Sequence, residues 1–111
     1  MDYMETKDKI DFILKEVDTS QHMLAALLGI TVRTLTATTK MPKTINKIER
    51  FYFVVNEFKK QNISGRSILA LIDEYIWIKD DTCVSLHHLI YEPTEYSQLE
   101  WAVKEVIKDY K

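Results

Sequence analysis

Residues 24–36, "LAALLGITVRTLT", decide how this chain is read. A dense apolar run meets a single glycine, Gly29, and beyond it Thr31, Thr34 and Thr36 surround one arginine, Arg33. A glycine at the end of an apolar helical run suits the left-handed backbone that closes a helix. Thr31, two residues later, can cap a new helix over residues 32–39. Before the glycine, Met23, Leu24, Leu27 and Leu28 form the apolar face of a helix that Thr19 or Ser20 can start. The helix after it is short and rich in β-branched residues, so tertiary packing must hold it.

Outward from this centre, every strong period is helical. Residues 6–17 place Ile10, Ile13, Leu14 and Val17 on one face. Pro42 disfavours helix at Met41 and suits a first helical turn, so the longest helix runs over 42–61 with Ile45, Ile48, Phe51, Tyr52, Val55 and Phe58 on its apolar side. "NISG" (62–65) breaks it, and a fifth helix over 65–77 would turn Ile68, Leu69, Ile72, Tyr75 and Ile76 inwards. "KDDT" (79–82) reads as an exposed loop. Ser85 can cap the short helix "LHHLIY", which Pro93 ends, and residues 95–110 repeat Leu99, Val103, Val106 and Tyr110 close to a heptad. The expected fold is an all-α helical bundle of about six helices containing a helix-turn-helix. The stretch "YIWIKDDTCVSL" is the one place where a short hairpin competes. Residues 1–61 form a first half around the quoted motif and 62–111 a second, helical half suited to dimerisation or partner binding, within one compact domain.

Composition narrows the function. At 111 residues, 46% hydrophobic, with two glycines and two prolines, the chain has material for one core and little for hairpins or linkers. The formal net charge of −2 opposes nonspecific coating of nucleic acid, but the charge is uneven. Residues 1–32 carry net −3, residues 33–66 net +6, and residues 67–111 net −5. Basic charge therefore follows directly on the quoted stretch, as in a protein with one nucleic-acid face, although a solvated helix surface has the same composition. Cys83 stands alone, so no internal disulfide forms, and it reads as a small core or boundary residue. The opening "MDYMETKDKI" lacks an apolar signal core, and "ILALIDEYIWI" (68–78) is broken by Asp73 and Glu74 and too short to span a bilayer. A cytoplasmic location away from membranes is expected.

The spacing around Gly29 carries the functional expectation. Ala25, four residues before it, allows close helix approach; Ile30 follows it and plugs the joint; Leu35, six residues after, anchors the second helix. "QHMLAALLGITVRTLT" resembles the helix-turn-helix of phage-repressor-like and antitoxin regulators, a likeness covering residues 21–39. The resemblance implies that the second helix lies in the major groove of double-stranded DNA. Thr38 departs from it, since such families place an apolar anchor there. "GITVRTL" is also similar to the opening of mercury-resistance-type regulators, but "TATTKMPKTI" replaces their paired aromatics and winged hairpin. The layout of motif, long helix, "SLHHLI" and closing helix is similar to antitoxins with a carboxy-terminal toxin-binding module.

The candidate DNA-binding residues are Thr31, Val32, Arg33, Thr34, Thr36 and Ala37 on the outward side of that helix, with Lys40, Lys43 and Lys47 as phosphate contacts. Arg33 suits a guanine edge, worth about 1–3 kcal/mol of discrimination. The threonines suit phosphates, base edges or a thymine methyl, and the lysines position without reading sequence. The plain structural readings are a surface Arg33 paired with an acid of the first helix, and threonines that cap and pack.

Other chemistry has little support. His87 and His88 point about 100° apart on a helix and, with His22, make no zinc spacing. Asp73–Glu74 and Asp80–Asp81 are chain neighbours, not facing dyads, and no phosphate loop or nucleophile elbow occurs. No enzyme, metal or cofactor is expected. Trp77, Trp101, Tyr75, Tyr91 and Tyr96 are expected mostly in the core, with a second role as partner-binding anchors. The leading expectation is a sequence-specific, repressor-like DNA-binding regulator of phage or bacterial type, acting as a homodimer. The alternative is an adaptor, antitoxin or inhibitor of the same shape that binds a protein partner through residues 62–111.

Overall fold

Helix α1 (Thr6–Val17) buries Ile10, Ile13 and Val17 along the longest helix, α4 (Pro42–Lys60), in the most extensive helix contact of the molecule. The computed structural model describes residues 5–78, 82–92 and 95–110. Between these two helices lie α2 (Gln21–Leu28) and α3 (Val32–Thr36), and after them come α5 (Ser67–Ile72), strands β1 (Tyr75–Ile78) and β2 (Thr82–Ser85), α6 (Leu86–Tyr91) and α7 (Tyr96–Tyr110). The all-α expectation holds, with seven helices among the described residues where about six were expected.

One hydrophobic cluster runs from Ile10 to Val106 with α4 at its centre. Ile48, Phe51, Val54, Val55 and Phe58 are fully buried on α4, which packs on α1, α6 and α7. Burial of a side chain of this size contributes about 1.5–3 kcal/mol, so α4 supplies the largest share of the core. Arg50 is also buried on α4, its guanidinium 4.9 Å from the centre of the Tyr96 ring. The breaker at 62–65 acts as read: Asn62 takes φ 61° beyond the end of α4, and the Gly65 N–H donates to the Glu16 carbonyl at 2.7 Å. The carboxy-terminal ends of α1 and α4 are thereby tied together.

The structure corrects several expectations. Helix α3 ends at Thr36, not Thr39. Thr36 returns its hydroxyl to the Val32 carbonyl at 3.0 Å, and Ala37 turns extended with ψ 142°. Beyond it, β-branched Thr38 and Thr39 gain little from helix, and Pro42 holds Met41 extended at ψ 150°. The fifth helix stops at Ile72 rather than Trp77, and the short hairpin forms instead. Tyr75 pairs with Ser85 and Ile78 with Thr82, because a β-branched and aromatic run gains more from strand pairing than from a third helical turn. Thr82 of the expected loop lies in β2; residues 79–81 of it, and Pro93, are outside the described residues. Two residues expected on apolar faces are exposed, Met23 at 49% and Tyr110 at 52%. The aromatics depart in part: Tyr91, Tyr96 and Trp101 are exposed, the fully buried aromatics among the described residues are Phe51 and Phe58, and the side chains of Tyr75 and Trp77 lie outside what is described.

Candidate nucleic-acid interface

The joint between α2 and α3 is built as its residues dictate. Gly29 closes α2 at φ 69°, and its N–H bonds the Ala25 and Ala26 carbonyls. The Ile30 N–H also reaches the Ala25 carbonyl at 3.0 Å. Two carbonyls at this helix end remain, and side chains from elsewhere satisfy both. His87 Nε2 lies 2.6 Å from the Leu27 carbonyl oxygen, so that nitrogen carries the proton and donates. Lys47 Nζ donates to the Leu28 carbonyl at 3.2 Å and lies 4.1 Å from the centre of the Tyr91 ring. The same ring covers Gly29, where an added Cβ would collide with its Cε2. Ala25, Leu28 and Leu35 are buried as their positions demand, and Ile30 packs on the edge of the core.

Leu35 is the one fully buried residue of α3, so the five-residue helix hangs on a single apolar anchor. Thr31 caps it, accepting from the Thr34 N–H at 3.1 Å and donating to the Thr34 hydroxyl at 2.9 Å. Thr31, Arg33 and Thr36 are exposed, while Val32, Thr34 and Ala37 are half-buried. Among the described residues Arg33 makes no ion pair, so pairing with an acid of α1 does not occur there. The threonines cap, and they keep free valences. Thr34 retains a donor, and Thr36, whose proton goes to Val32, retains acceptor lone pairs.

The three lysines do not form one group. Lys43 is exposed, Lys40 is half-buried and donates to the Ala37 carbonyl, and Lys47 is held at the α2 end. The remaining basic charge lies further along α4, at Arg50, Lys59 and Lys60, and at Arg66 before α5. Lys59 pairs with Glu16 at 3.1 Å and Lys60 with Glu57 at 2.7 Å. From Lys43 to Lys60 the helix rises about 25 Å, so the +6 segment is two clusters and not one patch. Next to α3 the cationic set is Arg33, Lys40 and Lys43. On the flank towards α1 a groove of about 400 Å³ gathers Glu5, Lys7 and Asp11 with Thr36, Ala37, Thr38 and Lys40, so acidic and basic side chains share that side of α3.

His87 and Tyr91 carry no sequence signal for their role at this joint, because sixty residues separate His87 from the carbonyl it meets. His87 Nδ1 lies 3.6 Å from an Asp73 carboxylate oxygen, beyond hydrogen-bond distance. Among the described residues no group of three metal-ligating side chains is assembled, and no helix is long and apolar enough to cross a membrane. Comparison with protein-family models, curated proteins and solved structures returns no match.

Proposed function

We propose that the chain is a sequence-specific DNA-binding regulator of repressor type, in which α2 and α3 work as a helix-turn-helix of the phage-repressor and antitoxin-regulator kind. The observation that carries the reading is the open polar side of α3: Thr31, Arg33 and Thr36 face solvent while Leu35 alone is buried. Arg33 reads a guanine edge, Thr34 and Thr36 contact bases or phosphate, and Lys43 sets the helix on the backbone, while Lys40 is already engaged by the Ala37 carbonyl. The role is non-catalytic, needs no cofactor and is played in the cytoplasm. So small a cationic set binds weakly alone. A homodimer on two half-sites about 34 Å apart supplies the affinity, and promoter occlusion is the simplest mechanism.

The test is binding to the DNA flanking its own gene at several salt concentrations. Each phosphate neutralised contributes about −0.9 to the log–log slope, so the unengaged Arg33 and Lys43 give about −1.8 per subunit. A slope near zero, or no loss in the Arg33→Ala, Lys43→Ala double variant, rejects the reading.

A second reading is favoured by α7, which exposes Trp101 at 42% and Tyr110 at 52% within residues 67–111, which carry net −5. These are anchor residue types on an acidic surface, fit for a basic protein partner of an adaptor or antitoxin. Recovery of one stoichiometric protein, lost on Trp101→Ala and accompanied by no DNA shift, selects it.

A further inference from the structure

We infer that the groove between α1 and α3 is a ligand site for a small zwitterion with an apolar body, of the size and chemistry of an apolar α-amino acid, whose binding ties α3 to α1. The effect on DNA rests on the regulator reading above; the site itself does not. The groove holds about 400 Å³, within the range of about 300–1,000 Å³ usual for small-molecule sites. Four helices contribute to it: α1, α3 with the segment that follows, α2 through Gln21 and α4 through Ile45. Its apolar lining is Ile10, Leu35, Ala37 and Ile45, and Leu35 is the single anchor of α3.

Charge says what fits. Lys7 and Asp11 lie one turn apart on α1, a spacing at which opposite charges commonly pair, and Glu5 precedes them. Yet none of the three makes an ion pair or a side-chain hydrogen bond among the described residues. Lys40 is already taken, its ammonium donating to the Ala37 carbonyl. The unspent charges of the groove are therefore two acids and one base. An ammonium suits Glu5 and Asp11, a carboxylate suits Lys7 with the Thr38 hydroxyl, and an apolar side chain covers the half-buried Ala37 and Ile45. A purely anionic ligand would meet two unpaired carboxylates, and a purely apolar one would leave all three charges unmatched. A zwitterion seated here touches α1 and the end of α3 at once. A five-residue helix with one buried anchor gains from that bridge. The factor by which the ligand strengthens DNA binding is then the factor by which DNA strengthens ligand binding.

The experiment adds L-leucine or L-phenylalanine, at millimolar concentration, to the full chain and follows its backbone amide shifts. At least one is expected to move the amides of residues 5–11 and 35–38. Asp11→Asn and Lys7→Met should each bind it at least about tenfold more weakly, the value of one charged hydrogen bond. Both variants change exposed, unpaired side chains and should unfold at the wild-type midpoint. The amines that lack the carboxylate (isopentylamine, phenethylamine) and the acids that lack the ammonium (isocaproate, hydrocinnamate) should bind more weakly than the parent amino acid. With the amino acid present, affinity for the DNA flanking the gene should rise. No movement of those amides with either amino acid, or movement that both variants leave unchanged, overturns the site. Equal binding of an amine and its parent overturns the zwitterion assignment. Binding in the groove with unchanged DNA affinity overturns the coupling. Absence of DNA binding with and without ligand removes the regulator reading, and the amide shifts then decide the site alone.

Discussion

The two joints that flank α3 are built in opposite ways. The joint before it, residues 29–31, is held from three directions: the Gly29 and Ile30 N–H groups, His87 from α6 and Lys47 from α4, with Tyr91 laid over the glycine. The joint after it, residues 37–41, has the Lys40 ammonium on the Ala37 carbonyl and otherwise faces solvent at Thr38, Thr39 and Met41. The first joint sets the direction of α3 and leaves nothing free to bind. The second leaves side chains free and contributes little to stability. Lys47 and Lys43, one turn apart on α4, fall on opposite sides of this division, which composition alone would not separate.

The largest expected effect is at Gly29. Gly29→Ala forces a side chain into the left-handed region, about 1–2 kcal/mol, and against the Tyr91 ring, about 1–3 kcal/mol more as overpacking. Denaturant unfolding should show a loss of at least about 2 kcal/mol, partly recovered in Gly29→Ala with Tyr91→Ala. A loss under about 0.5 kcal/mol, the scatter of ordinary surface changes, would mean that the first joint is not tight. Next is His87→Ala, which leaves the Leu27 carbonyl without its partner and should cost about 1–3 kcal/mol. Hydrogen exchange at the end of α2 should rise with it; an unchanged rate there removes His87 from the joint.

The lysine pair sharpens the comparison further. Lys47→Met should cost about 1 kcal/mol of stability and leave unchanged the salt slope of the proposed DNA binding. Lys43→Met should leave the unfolding midpoint unchanged and reduce that slope by about 1. Reversal of the two outcomes would exchange the roles of the joints. The smallest effect is away from both. Burial holds the Tyr96 hydroxyl above its ordinary pKa of 10.0, with Glu49 adding to the shift and Arg50 opposing it. The folded state therefore prefers the protonated phenol, a preference fully present below the unfolded value and lost as pH rises through the folded one. Ultraviolet titration should find one tyrosine ionising late in wild type and not in Tyr96→Phe, with alkaline destabilisation beginning above about pH 10.

Much of this architecture was legible along the chain. The i, i+3, i+4 spacing of Ile10, Ile13 and Val17, and of Ile48, Phe51, Val55 and Phe58, marks α1 and α4 because one face must be buried. Gly29 and Thr31 mark the joint because their roles are local: a positive φ, and a hydroxyl that caps its own helix. The end of α3 and the hairpin were less legible. Helix and strand compete closely for β-branched runs such as "TATT" and "YIWI", and neighbours distant in sequence decide between them.

By itself, then, the sequence determined the apolar faces, the breakers, the caps and the threonine-lined helix, since each depends on contacts within a few residues. Only the tertiary structure decided which cations remain free, because that depends on what lies across the fold. It placed Lys47 on the Leu28 carbonyl, His87 on Leu27, and Lys59 on Glu16. A charge counted in a segment acts at a surface only when no folded neighbour has already engaged it.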